Sequence, residues 1–151
     1  MAQSLYQSYM HIVFSTKNRK PWLQNDSIRS EMYSYLAAIC NKKKSPALAV
    51  NGYHDHIHLL VRMGKTMTAP VLIGEMKEDS SKWIKTKDES YADFYWQSGY
   101  GAFSVSATHV DVVQNYIESQ EDHHRVVSFQ EEYRRILGKN KIQFDEQYVW
   151  D

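Results

Sequence analysis

The stretch His54-Asp55-His56-Ile57-His58-Leu59-Leu60-Val61 decides how this chain is read. Its second half is apolar, so it reads as a strand over His56 to Met63, entered through a turn near Gly52 to Asp55. Successive side chains of a strand point to opposite faces. His56 and His58 therefore share one face, and Ile57 points the other way, into a core. Two imidazoles on one face of a strand can grip one metal ion. Taken alone, a His-x-His pair also fits two partly exposed histidines on an edge strand. Two features favour ligation: the pair heads an apolar strand, where side-chain direction is fixed, and a polar helix face carrying Gln120 lies elsewhere in the chain. His54 has the same parity but sits at the turn, and reads as exposed before it reads as a ligand. Asp55 either orients a ligand imidazole through the ring nitrogen not bound to metal or is a turn residue.

Working outward, Tyr6 to Ser15 reads as a half-buried strand, with Met10, Ile12 and Phe14 alternating with His11 and Val13. Asp26 or Ser27 is placed to cap a helix over Ile28 to Asn41, whose apolar stripe is Ile28, Met32, Tyr35, Leu36 and Ile39. Ala47 to Tyr53 is a second strand before the histidine strand. Thr68 to about Lys87 is a second helix, with Pro70 tolerated in its first turn. Gly101 to Ser106 is a short strand. Thr108, with Asp111 as a variant capping box, opens a third helix from His109 to about His124. Phe129 to Leu137 is a further helix stopped by Gly138, and the aromatic tail Phe144, Tyr148, Val149, Trp150 is expected to dock on something. The order β-α-β-β-α-β is the ferredoxin-like pattern of the α+β class: an antiparallel sheet with helices on one face, here with added C-terminal helices. No repeat, low-complexity segment or linker interrupts it, so residues 1–151 read as a single domain.

On the third helix Val112, Val113, Tyr116, Ile117, Gln120 and His124 share one broad face, with Tyr116 and Gln120 one turn apart. Tyr116 fits a core aromatic among valines. Gln120 is the odder member, because a buried amide needs partners and metal ligation would satisfy its carbonyl oxygen. His123 and His124 suit phosphate or metal, or the helix C-terminus through its dipole. A metal pair, a tyrosine and an amide together suggest phosphodiester chemistry with a tyrosine nucleophile, although no general base stands out near Tyr116.

The 18 basic and 18 acidic residues balance, which argues against coating duplex DNA by bulk charge. A local basic groove remains open to Lys17, Arg19 and Lys20, to Lys42 to Lys44, and to Lys82, Lys85 and Lys87; each also suits solvated surface. Trp83, Tyr100 and Phe103 either stack on bases or pack in a core. Cys40 is the single cysteine, so no intrachain disulfide forms, and a reducing cytoplasm is the expected setting.

The chain resembles the single-tyrosine HUH transposases of the insertion-sequence 200/605 type. HUH denotes His-hydrophobe-His, matched by His56-Ile57-His58 within Asp55-His56-Ile57-His58-Leu59-Leu60-Val61. Tyr116-Ile117-x-x-Gln120-x-x-His123-His124 is similar to the family's tyrosine helix. Phe14-Ser15-Thr16-Lys17 and Trp96-Gln97-x-Gly99-Tyr100-Gly101-Ala102-Phe103-Ser104-Val105 are similar to its first-strand and fourth-strand signatures. The resemblance covers nearly the whole chain. It implies that His56 and His58 bind a divalent metal, Mg2+ or Mn2+, with Gln120 as third ligand, and that Tyr116 is the nucleophile. The implied enzyme is a transposase that cleaves and rejoins single-stranded DNA through a 5′-phosphotyrosine. The implied partners are DNA ends with small hairpins and a second copy of the chain, in a homodimer whose tyrosine helices complete shared active sites. A domesticated relative, or a non-catalytic ferredoxin-like module that binds single-stranded nucleic acid, is the alternative.

Overall fold

A computed structural model of the chain describes residues 2–124 and 126–151. In chain order the elements are β1 (Tyr9–Ser15), α1 (Asp26–Lys42), β2 (Ala47–Gly52), β3 (His56–Arg62), α2 (Ala69–Lys85), β4 (Gly101–Val105), α3 (Val110–Glu118), α4 (Gln120–His123) and α5 (Phe129–Lys139). The strands form one sheet in the order β2-β3-β1-β4, and every neighbouring pair is antiparallel. This is the ferredoxin-like arrangement expected from the order of elements.

Strand parity sorts the side chains into two cores. Ile12 and Phe14 of β1 and Ile57, Leu59 and Val61 of β3 face α1 and α2, where they meet Met32, Leu36, Leu72, Ile73 and Met76. Val13 and Phe103 belong to a second core with Phe129, Tyr133 and Leu137 of α5, against which Val149 and Trp150 of the tail pack. The added C-terminal helices therefore cover the face that the sequence pattern leaves open. Here the sequence reading is corrected: β1 is buried on both faces from His11 to Ser15, not half-buried. Burying both sides lets polar residues on the second face, His11, His56 and His58, sit out of water.

Other differences are local. Asn25, not Asp26 or Ser27, caps α1, its side chain accepting from the Ile28 amide at 3.0 Å. The helix expected over His109 to His124 is two helices. Ser119 breaks it, its hydroxyl donating back to the Asn115 and Tyr116 carbonyls at 3.1 Å each and so competing with the helical ladder. Thr108 does not cap α3; its hydroxyl lies 3.2 Å from that of Ser106. Asn51 of β2 donates to the carbonyls of Ile117 and Glu118, pinning the end of α3 to the sheet. The tail docks through its last residues: Trp150 lies 5.9 Å from the Tyr133 ring, with the guanidinium groups of Arg19 and Arg134 over it, while Phe144 and Tyr148 stay exposed.

Two glycines carry opposite expectations. Gly52 ends β2 where a Cβ would lie 2.1 Å from the His56 carbonyl oxygen. Gly52→Ala must push β3 away just where the histidine pair begins, and is expected to cost about 1–3 kcal/mol, as overpacking does, readable as a lowered Tm. Gly138 does not stop α5; the helix continues to Lys139, with Asn140 as its C-cap and Lys141 at φ 56° after it. A Cβ on Gly138 meets nothing within 4 Å. Gly138→Ala is expected to stabilise the protein by about 0.5–1 kcal/mol; a denaturant midpoint that falls would contradict this.

Candidate active site

Val13 pairs with His58 and Ser15 with His56 across β1 and β3, which places both imidazoles at one end of the two central strands, on the face covered by α5. Both are fully buried. The break at Ser119 turns Gln120, also fully buried, down toward them, with its Oε1 3.0 Å from His56 Nε2. The Tyr116 ring lies 5.9 Å from that of His58, nearly perpendicular to it. Tyr116, His56, His58 and Gln120 are thus brought together within one chain.

At the centre stands a residue that the sequence reading missed, Glu132 of α5, only 1% exposed. Its Oε1 lies 2.9 Å from His58 Nε2, 3.0 Å from His124 Nε2 and 3.5 Å from His56 Nε2. Its Oε2 accepts from the Tyr116 hydroxyl, and from Gln120 Nε2 at 3.0 Å. His123 approaches Oε2 at 3.4 Å but forms no hydrogen bond there. A signal for Glu132 was present: Phe129, Glu132, Tyr133 and Leu137 are the buried residues of α5, so one carboxylate interrupts an apolar stripe.

The other ring nitrogens are also engaged. His56 Nδ1 lies 2.8 Å from Asp55 Oδ1, the orienting contact anticipated for Asp55. His124 Nδ1 donates to the Val127 carbonyl at 2.6 Å. His58 Nδ1 lies 2.8 Å from Nε2 of His11, a further buried histidine on the same face. His56, His58, His124 and Glu132 each offer a ligand atom within 4.8 Å of the others. His54 stands apart from this cluster, stacked on Tyr53 with ring centroids 4.0 Å apart.

Burial and charge set the protonation states. Desolvation holds the His11 ring down at about 3, with the neighbouring His58 adding to the effect. Desolvation likewise lowers His58, against the pull of Glu132. Burial alone would raise the Glu132 carboxyl, but the charge and hydrogen bonds of His58, His124 and His56 outweigh it and hold the group well below the usual carboxylate range. Burial, then the Glu132 charge and hydrogen bond, push the Tyr116 phenol far above its ordinary value.

A depressed carboxyl contributes stability that is present above its unfolded value, near 4.5, and is lost as pH falls toward the folded value. In chelator, the Tm of the wild-type chain is therefore expected to fall more steeply below about pH 4.5 than that of Glu132→Gln. Parallel curves would contradict this assignment.

A cavity of about 690 Å³ opens beside Tyr116, lined by His11, Phe103, Val113, Tyr116, Arg135 and Lys139 among others. Phe103 is buried, Tyr100 is exposed, and Trp83 stacks on Tyr35 at 5.1 Å. Of the basic residues singled out in sequence, Arg19 covers Trp150 and Lys20 covers Trp22. Lys17 begins a short turn after β1. Lys82 pairs with Glu78, and Lys85 lies over Tyr95. Lys82 and Lys85 belong to α2, which packs on the opposite sheet face from the histidines. Arg135 and Lys139, which the sequence reading passed over, are the cations lining the cavity. Among the described residues no helix is long and apolar enough to cross a membrane.

The family model described as "Transposase IS200 like" matches residues 4–120. A solved structure of a candidate transposase from Deinococcus radiodurans R1 is similar with a TM-score of 0.61 at 21% identity, covering 80% of this chain and 95% of that one. The structure of a REP-associated tyrosine transposase bound to a REP hairpin is similar with a TM-score of 0.61 at 12% identity, covering 84% of this chain and 76% of that one. These identities bear on the fold alone. No curated protein sequence matches. His124 and Glu132 lie beyond the residues matched by the family model.

Proposed function

Because the chain belongs to the IS200-like transposase family, we propose that it cleaves and rejoins single-stranded DNA through Tyr116, with His56, His58 and Gln120 holding a divalent metal. The observation that carries this reading is the convergence of Tyr116 and Gln120 on the buried His56–His58 pair. The residues fit a metal: imidazole nitrogens and carboxylate and amide oxygens meet at one point, a mixed N/O set suited to a divalent transition ion or Mn2+. When bound, the metal supplies Lewis-acid polarisation and alignment of the scissile phosphate.

The chain's own residues do the rest. The Tyr116 oxygen forms a bond to phosphorus as the bond to the 3′ oxygen breaks. This leaves a 5′-phosphotyrosine and a strand ending in a 3′-hydroxyl. A free phenol, with a pKa of roughly 10, is already a poor nucleophile near neutrality, and burial with the Glu132 charge raises Tyr116 further, so its proton must leave as the bond to phosphorus forms. Glu132 Oε2 already accepts that hydrogen bond and takes the proton, while the departing 3′ oxygen takes a proton from water. The phosphotyrosine conserves the ester bond, so a later 3′-hydroxyl reverses the step without another energy source.

As substrate we propose DNA ends carrying small hairpins, with Lys17, Arg19, Lys20, Arg135 and Lys139 as phosphate contacts. As partner we propose a second copy of the chain. The chain's own α3 and α4 lie against its own histidines, which supports completion of each site in cis.

The test uses end-labelled single-stranded oligonucleotides bearing the element's own ends, incubated with Mg2+ or Mn2+ and resolved on a denaturing gel. A protein-linked band that disappears with EDTA is expected. Folded protein that yields no such band on these ends would favour the non-catalytic binding module.

A further inference from the structure

We propose that Glu132 and His124 are also ligands of this metal, so that α5 closes the site and one carboxylate joins the metal to the nucleophile. The inference rests on the metal-assisted reading above and extends it to residues outside the family match.

Val127 offers His124 only a carbonyl oxygen and Asp55 offers His56 only a carboxylate, so Nδ1 of each ring must carry the hydrogen. In the neutral rings Nε2 is then a bare lone pair. Nε2 of His124 faces the Glu132 carboxylate at 3.0 Å, and Nε2 of His56 faces the Gln120 carbonyl oxygen at 3.0 Å. His58 Nε2 points at the same carboxylate oxygen from 2.9 Å. Bare acceptors thus face each other in two pairs, His124 with Glu132 and His56 with Gln120, and a cation between them answers both. One divalent ion answers all five donors at once.

The supports around the rings agree. Ligand imidazoles in metal sites donate their other N–H to a carboxylate, carbonyl or similar partner, which fixes the ring and its tautomer. His56 has Asp55, His124 has the Val127 carbonyl and His58 has His11. Glu132 Oε1 faces the three Nε2 atoms while Oε2 accepts from Tyr116. The carboxylate would thus hold the attacking oxygen beside the ion. Three imidazoles with one carboxylate favour Mn2+, Co2+ or Zn2+ over Mg2+, which prefers oxygen ligands and retains its waters.

Two measurements test this. The first is the affinity for Co2+ and Mn2+ of folded wild type, Glu132→Gln, His124→Gln, Gln120→Ala and His58→Ala. Losses of about tenfold or more are expected for both Glu132→Gln and His124→Gln. Affinities within twofold of wild type for both variants, with His58→Ala strongly impaired, would overturn the proposal and leave a His56–His58–Gln120 site standing. Unchanged binding in His58→Ala would instead sink the metal reading itself. The second measurement needs no variant. Each coordinated ring contributes one exchangeable N–H resonance shifted by bound Co2+, and three such imidazole resonances are expected in the wild-type proton spectrum. Two would remove His124 from the ligand set.

Discussion

Replacing Tyr116 by Phe is expected to abolish strand cleavage, by roughly 10⁴-fold or more, the scale on which removing a nucleophile acts, while DNA binding persists. The change deletes one hydroxyl and keeps the ring that packs near His11, His58 and His123. What it loses is the oxygen bonded to Glu132. Removing that oxygen frees one acceptor position on Oε2, which still holds Gln120 Nε2, so the fold is expected to survive. Single-turnover cleavage measured alongside a gel-shift titration separates the two effects. Cleavage at the wild-type rate in Tyr116→Phe would assign the nucleophile elsewhere.

Glu132→Gln is expected to lower the single-turnover rate by about 10²-fold or more at saturating Mn2+, a typical general acid–base contribution. Saturation matters, because it separates proton acceptance from any loss of metal affinity. The amide has the size of the carboxylate but presents one acceptor where Glu132 offers two. Tyr116 and Gln120 share Oε2, while His58 and His124 share Oε1. Its NH2 group either faces Tyr116 and Gln120 Nε2, from which it cannot accept, or takes the Oε1 position, where it cannot ligate a metal. A rate within threefold of wild type under saturating metal would remove Glu132 from the reaction.

Much of the frame was legible in the sequence because it rests on period. Alternation over residues 10–14 and 56–61 set which side chains share a face, and the observed register keeps His56 and His58 on one side. The order of strands and helices followed from the same patterns. What escaped depends on long-range packing. The break at Ser119 turns on a local hydroxyl-to-carbonyl competition that the valine-rich stripe of α3 conceals. Gly138 suggested a helix end, but its φ is not positive and α5 runs through it. Glu132 escaped because Glu131 stands beside it, exposed at the start of the same helix. Only the spacing with Phe129 and Tyr133 marks Glu132 as the buried one. The second core accounts for Trp150 of the tail, which covers α5, the helix that carries Glu132 into the site.

The most direct test of the central claim is to trap the covalent complex of the wild-type protein with its cognate single-stranded end, digest both components, and sequence the nucleotide-bearing peptide by mass spectrometry. A 5′-phosphonucleotide on Tyr116 is expected. A nucleotide carried by any other side chain, or joined through its 3′ end, would contradict it.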